Sequence, residues 1–459
     1  MNITERVTSF FSPTAIPSWR DITTKVKKST FTLASYLTDP VCSFDADKMY
    51  LKEKVFSQLF PCDGSLESRV ANWIRKSVIA TNMTTNLILT PFTAPLGILL
   101  RSLGTNLSSE LFLYETTSVP PKPFPENKAF TLANWNILLI PGENSLLHGG
   151  APQADSYYKP SLKDHPAQGL PYLGLEWLFS LLGLVSKENC LTRLDTIIAD
   201  IQKSDADVIC LYEGFDFGAV EKIKSAVQDK FHCMISNIAP RSIGTNSGVV
   251  ILSKFHIERD SVLVKPFPKS YPGPNNTMIQ LGPSGYSEKS LVRFSIYGKD
   301  LEGEQKAIAD IYPEHLFHSE SPDPKKVTSQ EKTIRAWQLS RVLEDMKTER
   351  SDTRSVILCG DLNLDPDELK AHPLISSPEG LSLKGEPDRM ITWGGDAASA
   401  AIEGIEPSGP QQLDYVLAKS DTVRFLETEA YNLGNFDPNV IKWDYRSDHY
   451  LLKTRIGLN

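Results

Sequence analysis

The sequence predicts an α/β protein, with sheets covered by helices over residues 129–459 and a mostly helical region over residues 1–117. Two observations favour this class. Short apolar runs alternate with amphipathic helical segments throughout the larger part. Four prolines in seven residues, Val119–Pro125, indicate a stiff linker over residues 118–128. The composition agrees, because 41% hydrophobic and 23% charged residues are typical of a globular chain.

The predicted strands are short apolar runs, and they lie at Phe130–Ile140, Val208–Tyr212, Gly248–Ser253, Leu291–Tyr297, Lys306–Tyr312, Val356–Cys359, Leu413–Ala418 and Tyr450–Ile456. The predicted helices are Leu191–Lys203, Ala219–Lys230 and Ser329–Lys347. The last helix places four apolar residues at i, i+3, i+4 and i+7, namely Leu339, Val342, Leu343 and Met346. That spacing predicts a helix packed on a sheet.

Two apolar stretches allow more than one interpretation. Residues 78–100 carry no charge but contain Pro91 and Pro95, so a buried helix broken near Pro91 and a membrane segment both stay open. The second stretch, residues 170–185, lies in an insertion at 141–189 and has one charged residue. It is too short for a full span and could be a core helix, a lid or an interfacial element. The role of residues 1–117 is not predicted, and membrane association is left open.

Charge is distributed unevenly along the chain. Residues 1–129 hold 14 basic and 11 acidic side chains, which leaves 34 basic and 45 acidic side chains, a net charge of -11, for residues 130–459. Proteins that bind duplex nucleic acid neutralise phosphates with Lys and Arg. An acidic larger part therefore makes nucleic acid the less expected partner.

Targeting signals and cysteine spacing point to a reducing compartment. Residues 1–20 lack a basic segment followed by an apolar one, so we expect no cleaved signal peptide. The six cysteines show no CxxC spacing and are expected to be reduced, although Cys42 and Cys62 could pair if the protein is exported. We expect a cytoplasmic or peripheral membrane protein, with non-classical export left open.

The most informative polar residues follow the apolar run Val356–Cys359. Asp361 and Asn363 are two residues apart, so a continuing strand would point both side chains the same way. A carboxylate and a carboxamide together suit a phosphate and a metal-bound water. Gly360, Asp361 and Asn363 are equally typical of a plain β-turn, so this stretch alone does not decide between the two.

Polar side chains also end the other predicted strands: Asn136, Glu213, His315, Asp414, Asp448 and His449. Mg²⁺ prefers carboxylate and amide oxygens, which Glu213 and Asn136 would supply. A histidine beside carboxylates is well suited to accept a proton near neutral pH, particularly where Asp414 orients the His449 ring.

Seven motifs in this order resemble the endonuclease/exonuclease/phosphatase superfamily of Mg²⁺-dependent phosphodiesterases. They are Trp135-Asn136, Asp207–Glu213, Gly248–Lys254, His315-Leu316, Gly360–Asn363, Leu413–Tyr415 and Ser447–His449. Within the superfamily, Glu213–Asp216 and Ser447–Tyr450 are similar to the neutral and bacterial sphingomyelinase branch. Glu314 and Tyr212 differ from the Thr and Gln usual there.

The resemblance implies a four-layer α/β/β/α sandwich of two mainly antiparallel sheets flanked by helices. It also implies a role for each motif residue. Glu213, Asn136 and Asp448 would serve the metal, which is Mg²⁺ with Mn²⁺ as a substitute. His449, oriented by Asp414, would activate water. Asp361, Asn363 and His315 would contact water and phosphate.

The expected reaction is hydrolysis of a phosphodiester, with sphingomyelin at a membrane surface as the expected substrate. A nuclease and a phosphoinositide phosphatase are the alternatives within the superfamily, although the dense Lys/Arg cluster that a polyphosphate headgroup needs is not evident near the motifs. A non-catalytic membrane-associated interaction protein is the alternative outside enzymes. The oligomeric state is not predicted.

Overall fold

The computed structural model describes residues 18–34, 92–139, 193–241, 245–272, 278–280, 287–299, 304–318, 328–348, 354–376, 383–385, 390–393, 411–419, 421–431, 447 and 449–459. Several predicted features lie outside these residues. They are the insertion at 141–189 with its apolar segment 170–185, residues 78–91 of the uncharged stretch, Cys42, Cys62 and Asp448.

Seven helices lie in the described ranges: α1 (19–34), α2 (92–106), α3 (Arg193–Lys203), α4 (Phe217–Val227), α5 (Ser329–Thr348), α6 (Pro366–Ala371) and α7 (Pro373–Ser376). Helix α4 begins after Asp216, whose carboxylate accepts from the Ala219 backbone N–H at 2.8 Å. This N-cap satisfies a donor that the first turn of a helix leaves unpaired. The three predicted helices are confirmed, with ends shifted by up to three residues.

The strands form two large sheets and a hairpin of β8 (Ser270–Pro272) with β9 (Met278–Gln280). The first sheet has the order β1 (Leu113–Thr116), β4 (Cys233–Ser236), β5 (Val250–Ser253), β3 (Val208–Gly214), β2 (Ala129–Leu139), β16 (Leu451–Leu458), β15 (Val423–Tyr431). The second has the order β13 (Leu383–Gly385), β14 (Asp414–Lys419), β12 (Ser355–Asp361), β11 (Gln305–His315), β10 (Ser290–Lys299), β6 (His256–Ile257), and β7 (Leu263–Pro266) also pairs with β10.

Pairing in both sheets is mainly antiparallel. Among the described pairs, β2 with β3 and β11 with β12 are parallel. In each parallel pair, the two carboxyl ends lie at the same edge of the sheet. This topology brings the strand ends that carry the polar motifs to one end of the molecule.

Three apolar clusters separate the layers. One lies between the sheets and joins residues such as Cys210 of β3 to residues such as Ile357 of β12. A second packs helices α3 and α4 on the outer face of the first sheet. A third packs α5 on the outer face of the second sheet, where Leu339, Val342 and Leu343 are fully buried, as their spacing predicts. The predicted α/β/β/α sandwich is confirmed.

Residue alternation decides which polar side chains enter the space between the sheets. On β12, Ile357 and Cys359 belong to the central cluster, whereas Val356 and Leu358 face α5. Continuing this alternation points Asp361 inward. The same alternation along the other strands points Asn136 of β2, His315 of β11 and Asp414 of β14 inward. A period of two therefore directs four motif side chains into one space.

Several strands are longer than the sequence predicts, and the extensions of β11 and β12 bear on the polar motifs. β11 continues through Pro313 to His315, and β12 continues to Asp361, because their parallel pairing extends to the end of both strands. The extension sets His315 opposite Asp361.

The first sheet begins before the predicted boundary at residue 117, since β1 pairs with β4. The proline-rich segment lies against the larger domain, with Lys122 bound to Asp207 at 2.5 Å and Phe124 packed on the central cluster. The division of the chain into residues 1–117, 118–128 and 129–459 stays a prediction. Of the described helices, none combines the length and apolar character needed to cross a bilayer.

Candidate active site

Asn136 links two carboxylates at the end of the sandwich. Its side-chain amide donates to Glu213 Oε1 and to Asp361 Oδ2, each at 3.0 Å. The three residues come from different strands and both sheets, and Asn136 and Asp361 are buried. Asn136 thereby fixes the orientation of the two carboxylates.

Glu213 reaches this position through an unusual backbone conformation. Ile209 and Leu211 of β3 face the helices, so alternation would send Glu213 the same way. Instead Glu213 has φ +57°, in the left-handed region that non-glycine residues seldom adopt. The conformation breaks the alternation and turns the carboxylate towards the second sheet. Backbone strain of this kind costs about 1–3 kcal/mol and clusters at functional sites.

His449 and Asp414 form the second part of the site. His449 Nδ1 lies 2.8 Å from Asp414 Oδ2, and both side chains are buried. Because a carboxylate accepts hydrogen bonds, this contact assigns the proton to Nδ1 and leaves Nε2 as an acceptor. His449 Nε2 lies 3.7 Å from Asp361 Oδ2, so the acceptor nitrogen faces the carboxylate pair.

The surroundings hold this pair in place. Trp135 donates its indole N–H to the His449 carbonyl at 3.1 Å, and the Ser447 hydroxyl donates to the Asn136 carbonyl at 2.6 Å. The Thr392 hydroxyl accepts from the Asp414 backbone N–H at 2.9 Å. The first two bonds tie the segment that carries His449 to β2 of the first sheet, and the third ties Asp414 of β14 to Thr392.

Asp361 and Asn363 are arranged differently from the sequence prediction. Strand β12 ends at Asp361, and Asn363 has φ +53°, so the two side chains do not continue one strand face. The Asn363 backbone N–H donates to Asp361 Oδ1 at 3.0 Å, and its amide approaches the Leu316 carbonyl at 3.4 Å. The prediction that period-two alternation aligns them is wrong, because a local side-chain turn competes with the strand.

Burial strongly affects the ionisation of Asp361. Burial raises its pKa to about 7, with further increases from Asp414 and Glu213, while His449 and Asn136 oppose the shift. A bound cation would compensate the negative charge of three carboxylates held this close. Glu213, His315 and Asp361 have potential ligand atoms within 4.8 Å of one another, as do Asp361, Asp414 and His449. The donor set therefore fits a hard divalent cation, with oxygen ligands in the majority.

His315 is buried beside these carboxylates. Its Nε2 lies 3.6 Å from Glu213 Oε1 and 3.7 Å from Asp361 Oδ2. Burial lowers the pKa of His315 well below its usual value, and the cation of Lys289 lowers it further. The ring is therefore neutral at neutral pH and can still donate one N–H to a phosphoryl oxygen.

Lys289 is a candidate that the sequence does not single out. It is 4% exposed, and its ammonium has no hydrogen-bond partner among the described residues. Burial lowers the pKa of Lys289 to about 7, although Glu213 and Asp361 raise it. The available sequence signal is its place directly before β10, which does not distinguish it from an exposed lysine at a strand start.

Seven of the eight predicted site residues lie in the described part of the chain, and Asp448 lies outside it. The structure brings six of them together: Asn136, Glu213, His315, Asp361, Asp414 and His449. Asn363 joins them through its backbone.

Several solved structures are similar to this chain. Sphingomyelinase C from Streptomyces griseocarneus is 16% identical over 71% of this chain and 99% of its own, with a TM-score of 0.43. A Staphylococcus aureus beta toxin variant with bound magnesium ions is 18% identical over 71% and 98%, with a TM-score of 0.43. D. rerio TDP2 complexed with a single-strand DNA product is 14% identical over 72% and 99%, with a TM-score of 0.39.

Comparison with curated protein sequences finds no match. The model of the Endonuclease/Exonuclease/phosphatase family matches residues 135–449, which is more than half of the chain and spans the motif residues from Asn136 to His449. The chain therefore belongs to the Endonuclease/Exonuclease/phosphatase family, whose members are metal-dependent hydrolases that act on phosphodiester bonds.

Proposed function

We propose that this protein is a Mg²⁺-dependent phospholipase C that hydrolyses sphingomyelin to ceramide and phosphocholine. The observation that carries the proposal is the pairing of His449 with Asp414 at 2.8 Å, directly beside the Glu213, Asn136 and Asp361 cluster. A proton acceptor and a buried carboxylate cluster at one edge are the groups that a metal-assisted hydrolase needs.

His449 acts as the general base in this account. Asp414 holds the ring with Nδ1 protonated, so Nε2 takes the proton of the attacking water. Asp414 also stabilises the imidazolium that forms, since its carboxylate is fully buried and 2.8 Å away. The bond between phosphorus and the ceramide oxygen breaks, that oxygen takes a proton from solvent as ceramide leaves, and His449 then releases its proton to solvent.

Glu213 would hold Mg²⁺, or Mn²⁺ as a substitute, with Asn136 fixing the direction of its carboxylate. Asp361 accepts from the same amide nitrogen, and its carboxylate lies within 4.8 Å of the Glu213 carboxylate. When bound, the cation acts as a Lewis acid that polarises a phosphoryl oxygen. Asp448 is proposed to support the cation from the segment next to His449.

Two neutral donors and one cation would contact the phosphate. His315 donates an N–H to a phosphoryl oxygen, and Asn363 positions the phosphate from the turn after β12. The Lys289 ammonium faces Glu213 and Asp361 and stabilises negative charge that develops in the transition state.

A lipid substrate is supported by the surface of the two N-terminal helices. Helix α2 exposes an apolar stripe at i, i+4, i+7 and i+11, with Phe92 77% exposed and Leu96, Leu99 and Leu103 about half exposed. Helix α1 adds Trp19, which is 80% exposed. Exposed aromatic and aliphatic side chains on helices suit the interface of a bilayer.

The C-terminal end of α1 lies near the catalytic end of the sandwich. Phe31 of α1 packs on Phe217 at the start of α4, with ring centroids 6.1 Å apart. Phe215, two residues earlier, lies 6.2 Å from the His315 ring. A bilayer that contacts α1 and α2 would therefore be next to the catalytic cluster. The acidic residues 130–459 favour this substrate over nucleic acid.

The test offers purified protein and Mg²⁺ four substrates side by side: sphingomyelin liposomes, lysophospholipid, phosphoinositide and plasmid DNA. We expect phosphocholine release from sphingomyelin and none from the Glu213→Gln variant. Preferential cleavage of DNA would instead identify a nuclease, and phosphate release from phosphoinositide would identify a phosphatase. Absence of turnover with all four substrates would favour a non-catalytic, membrane-associated interaction protein.

A further inference from the structure

Two histidines and a cysteine meet at the end of the sandwich opposite the catalytic cluster. Cys233 begins β4 of the first sheet, His232 directly precedes it, and His256 begins β6 of the second sheet. Cys233 lies level with Val208, at the start of β3, across the intervening strand. Glu213 is five residues further along β3, which corresponds to about 16 Å.

The three side chains present donor atoms to a common point. One ring nitrogen of each histidine and the cysteine sulfur lie within 4.8 Å of one another. The two imidazole rings have centroids 5.8 Å apart. Tetrahedral zinc with bonds of about 2.3 Å to sulfur and 2.0 Å to nitrogen needs donors about 3.3–3.7 Å apart. The side chains would have to move towards one another by about 1 Å to bring the donor atoms to these separations.

His232 is already oriented as metal-binding histidines are. Its Nδ1 lies 2.7 Å from the Val119 carbonyl oxygen, which accepts but does not donate. Nδ1 therefore carries the proton, and Nε2 keeps its lone pair. Histidine ligands in proteins commonly donate their other ring N–H to a backbone carbonyl, which fixes both the tautomer and the ring.

Cys233 is fully buried at the edge of the central cluster. Tyr114 lies 3.4 Å from its sulfur, but the hydroxyl of Tyr114 donates to the Ile257 carbonyl at 2.6 Å. Burial raises the pKa of the Cys233 thiol, so the free protein holds it protonated. Binding a cation replaces that proton with a metal–sulfur bond, and the proton is released to solvent.

The electrostatic surroundings differ from those of the catalytic cluster. Burial and the neighbouring His232 lower the pKa of His256, which keeps its ring neutral, while Glu258 opposes that shift. Two imidazoles and a thiolate select thiophilic cations over Mg²⁺, which prefers oxygen. Both histidine side chains are half-buried, so the fourth position is open to water.

We propose that His232, Cys233 and His256 form a second metal site that binds Zn²⁺ and joins β4 of the first sheet to β6 of the second. The site is separate from the catalytic cluster and does not depend on the proposed function. The competing account is a packed cluster without a ligand, held by the contacts of Tyr114 and Val119.

The test uses Co²⁺ as a spectroscopic substitute for Zn²⁺. Reduced, chelator-treated full-length protein is titrated with Co²⁺ in excess Mg²⁺, which occupies the catalytic cluster. We expect thiolate-to-cobalt absorption in the near ultraviolet and tetrahedral bands in the visible, saturating at about one equivalent. Added Zn²⁺ should then displace these bands.

Variants separate the site from adventitious binding. Cys233→Ser should abolish the thiolate absorption, and His256→Gln should weaken Co²⁺ binding at least about tenfold. The controls are a variant with Cys42, Cys62 and Cys190 changed to Ser, and His372→Gln, a histidine elsewhere in the structure. Both controls should bind Co²⁺ as the wild type does.

The proposal is overturned if the wild type shows no thiolate absorption, if Cys233→Ser retains it, or if His256→Gln binds with unchanged affinity. X-ray absorption of the zinc-loaded wild type covers the case in which a variant does not fold. One sulfur and two imidazole nitrogens around zinc support the site, whereas a shell without sulfur excludes it.

Discussion

Gly360 shows how closely the catalytic cluster is packed at the level of single residues. A Cβ atom at this position would lie 1.9 Å from the Glu314 carbonyl oxygen, and Gly360 has φ +139°. Both facts require glycine directly before Asp361. The neighbouring strands β11 and β12 can therefore approach closely where His315 and Asp361 face each other.

Gly360→Ala should destabilise the protein by about 2–5 kcal/mol, because overpacking adds to backbone strain. Urea unfolding measures the loss. Gly457→Ala is the matched control, since a Cβ there would meet its nearest neighbour at an ordinary 3.4 Å. Equal stability of the two variants would contradict the close packing described here.

Lys289→Met should lower kcat/KM about 100-fold, because it removes the buried cation that is proposed to contact the phosphate. The same change should leave the protein at least as stable, since methionine needs no hydrogen-bond partner in a buried position. Steady-state kinetics and urea unfolding measure the two effects. Lys306→Met, at an exposed lysine, is the control, and an unchanged kcat/KM for Lys289→Met would exclude a role in catalysis.

At the scale of elements, α1 is attached to the sandwich partly through a buried cation. Lys27 is 1% exposed, and its ammonium donates to the Glu110 carbonyl. Burial lowers the pKa of Lys27 to about 8, with Arg259 acting in the same direction and Glu110 against it. Between that value and the ordinary 10.5, the unfolded chain binds more protons than the folded one. The contribution of Lys27 to the free energy of unfolding therefore rises with pH in that interval, and it is lost as pH falls through 8.

Lys27→Met should remove this increase of the free energy of unfolding with pH. The free energy of unfolding is compared by urea unfolding at about pH 7.5 and at about pH 10.5, which bracket the interval between the two pKa values. Lys25→Met, at an exposed lysine of the same helix, should keep the pH dependence of the wild type. If the free energy of unfolding of the Lys27→Met variant depended on pH as that of the wild type does, Lys27 would not be the source of the pH dependence.

Changing Leu96, Leu99 and Leu103 of α2 to Ser should weaken binding to sphingomyelin vesicles while hydrolysis of sphingomyelin in detergent micelles continues. The reason is that the apolar stripe is proposed to contact the bilayer and is not part of the catalytic cluster. Vesicle sedimentation measures the binding. Leu426→Ser, at an equally exposed leucine of β15, is the control. Vesicle binding at the wild-type level would remove the role proposed for α2.

The sequence predicts the central elements better than the edges. Leu339, Val342, Leu343 and Met346 predict the buried face of α5 because helical spacing and burial coincide. Short edge strands such as β6, with two residues, have too few positions to show alternation. Strand β15 is also not predicted, because its exposed positions hold both polar residues and the apolar Leu426 and so show no regular alternation.

At the scale of the whole molecule, period-two alternation and motif order predict most of the catalytic cluster. Asn136, Asp361, Asp414 and His315 all point inward as their strand positions require. Glu213 and Lys289 show the limit of this reasoning. The left-handed backbone of Glu213 and the burial of Lys289 result from tertiary packing, which local sequence does not report.

The central claim is that one cluster, built from both sheets, hydrolyses phosphodiesters with a bound cation. The most direct measurement is Mg²⁺-dependent hydrolysis of sphingomyelin by the wild type, Glu213→Gln and His449→Ala, with circular dichroism as the check of folding. We predict that both variants fold and lose turnover by at least about 1,000-fold, since one lacks the cation-binding carboxylate and the other lacks the base. A folded His449→Ala variant with normal activity would contradict the account.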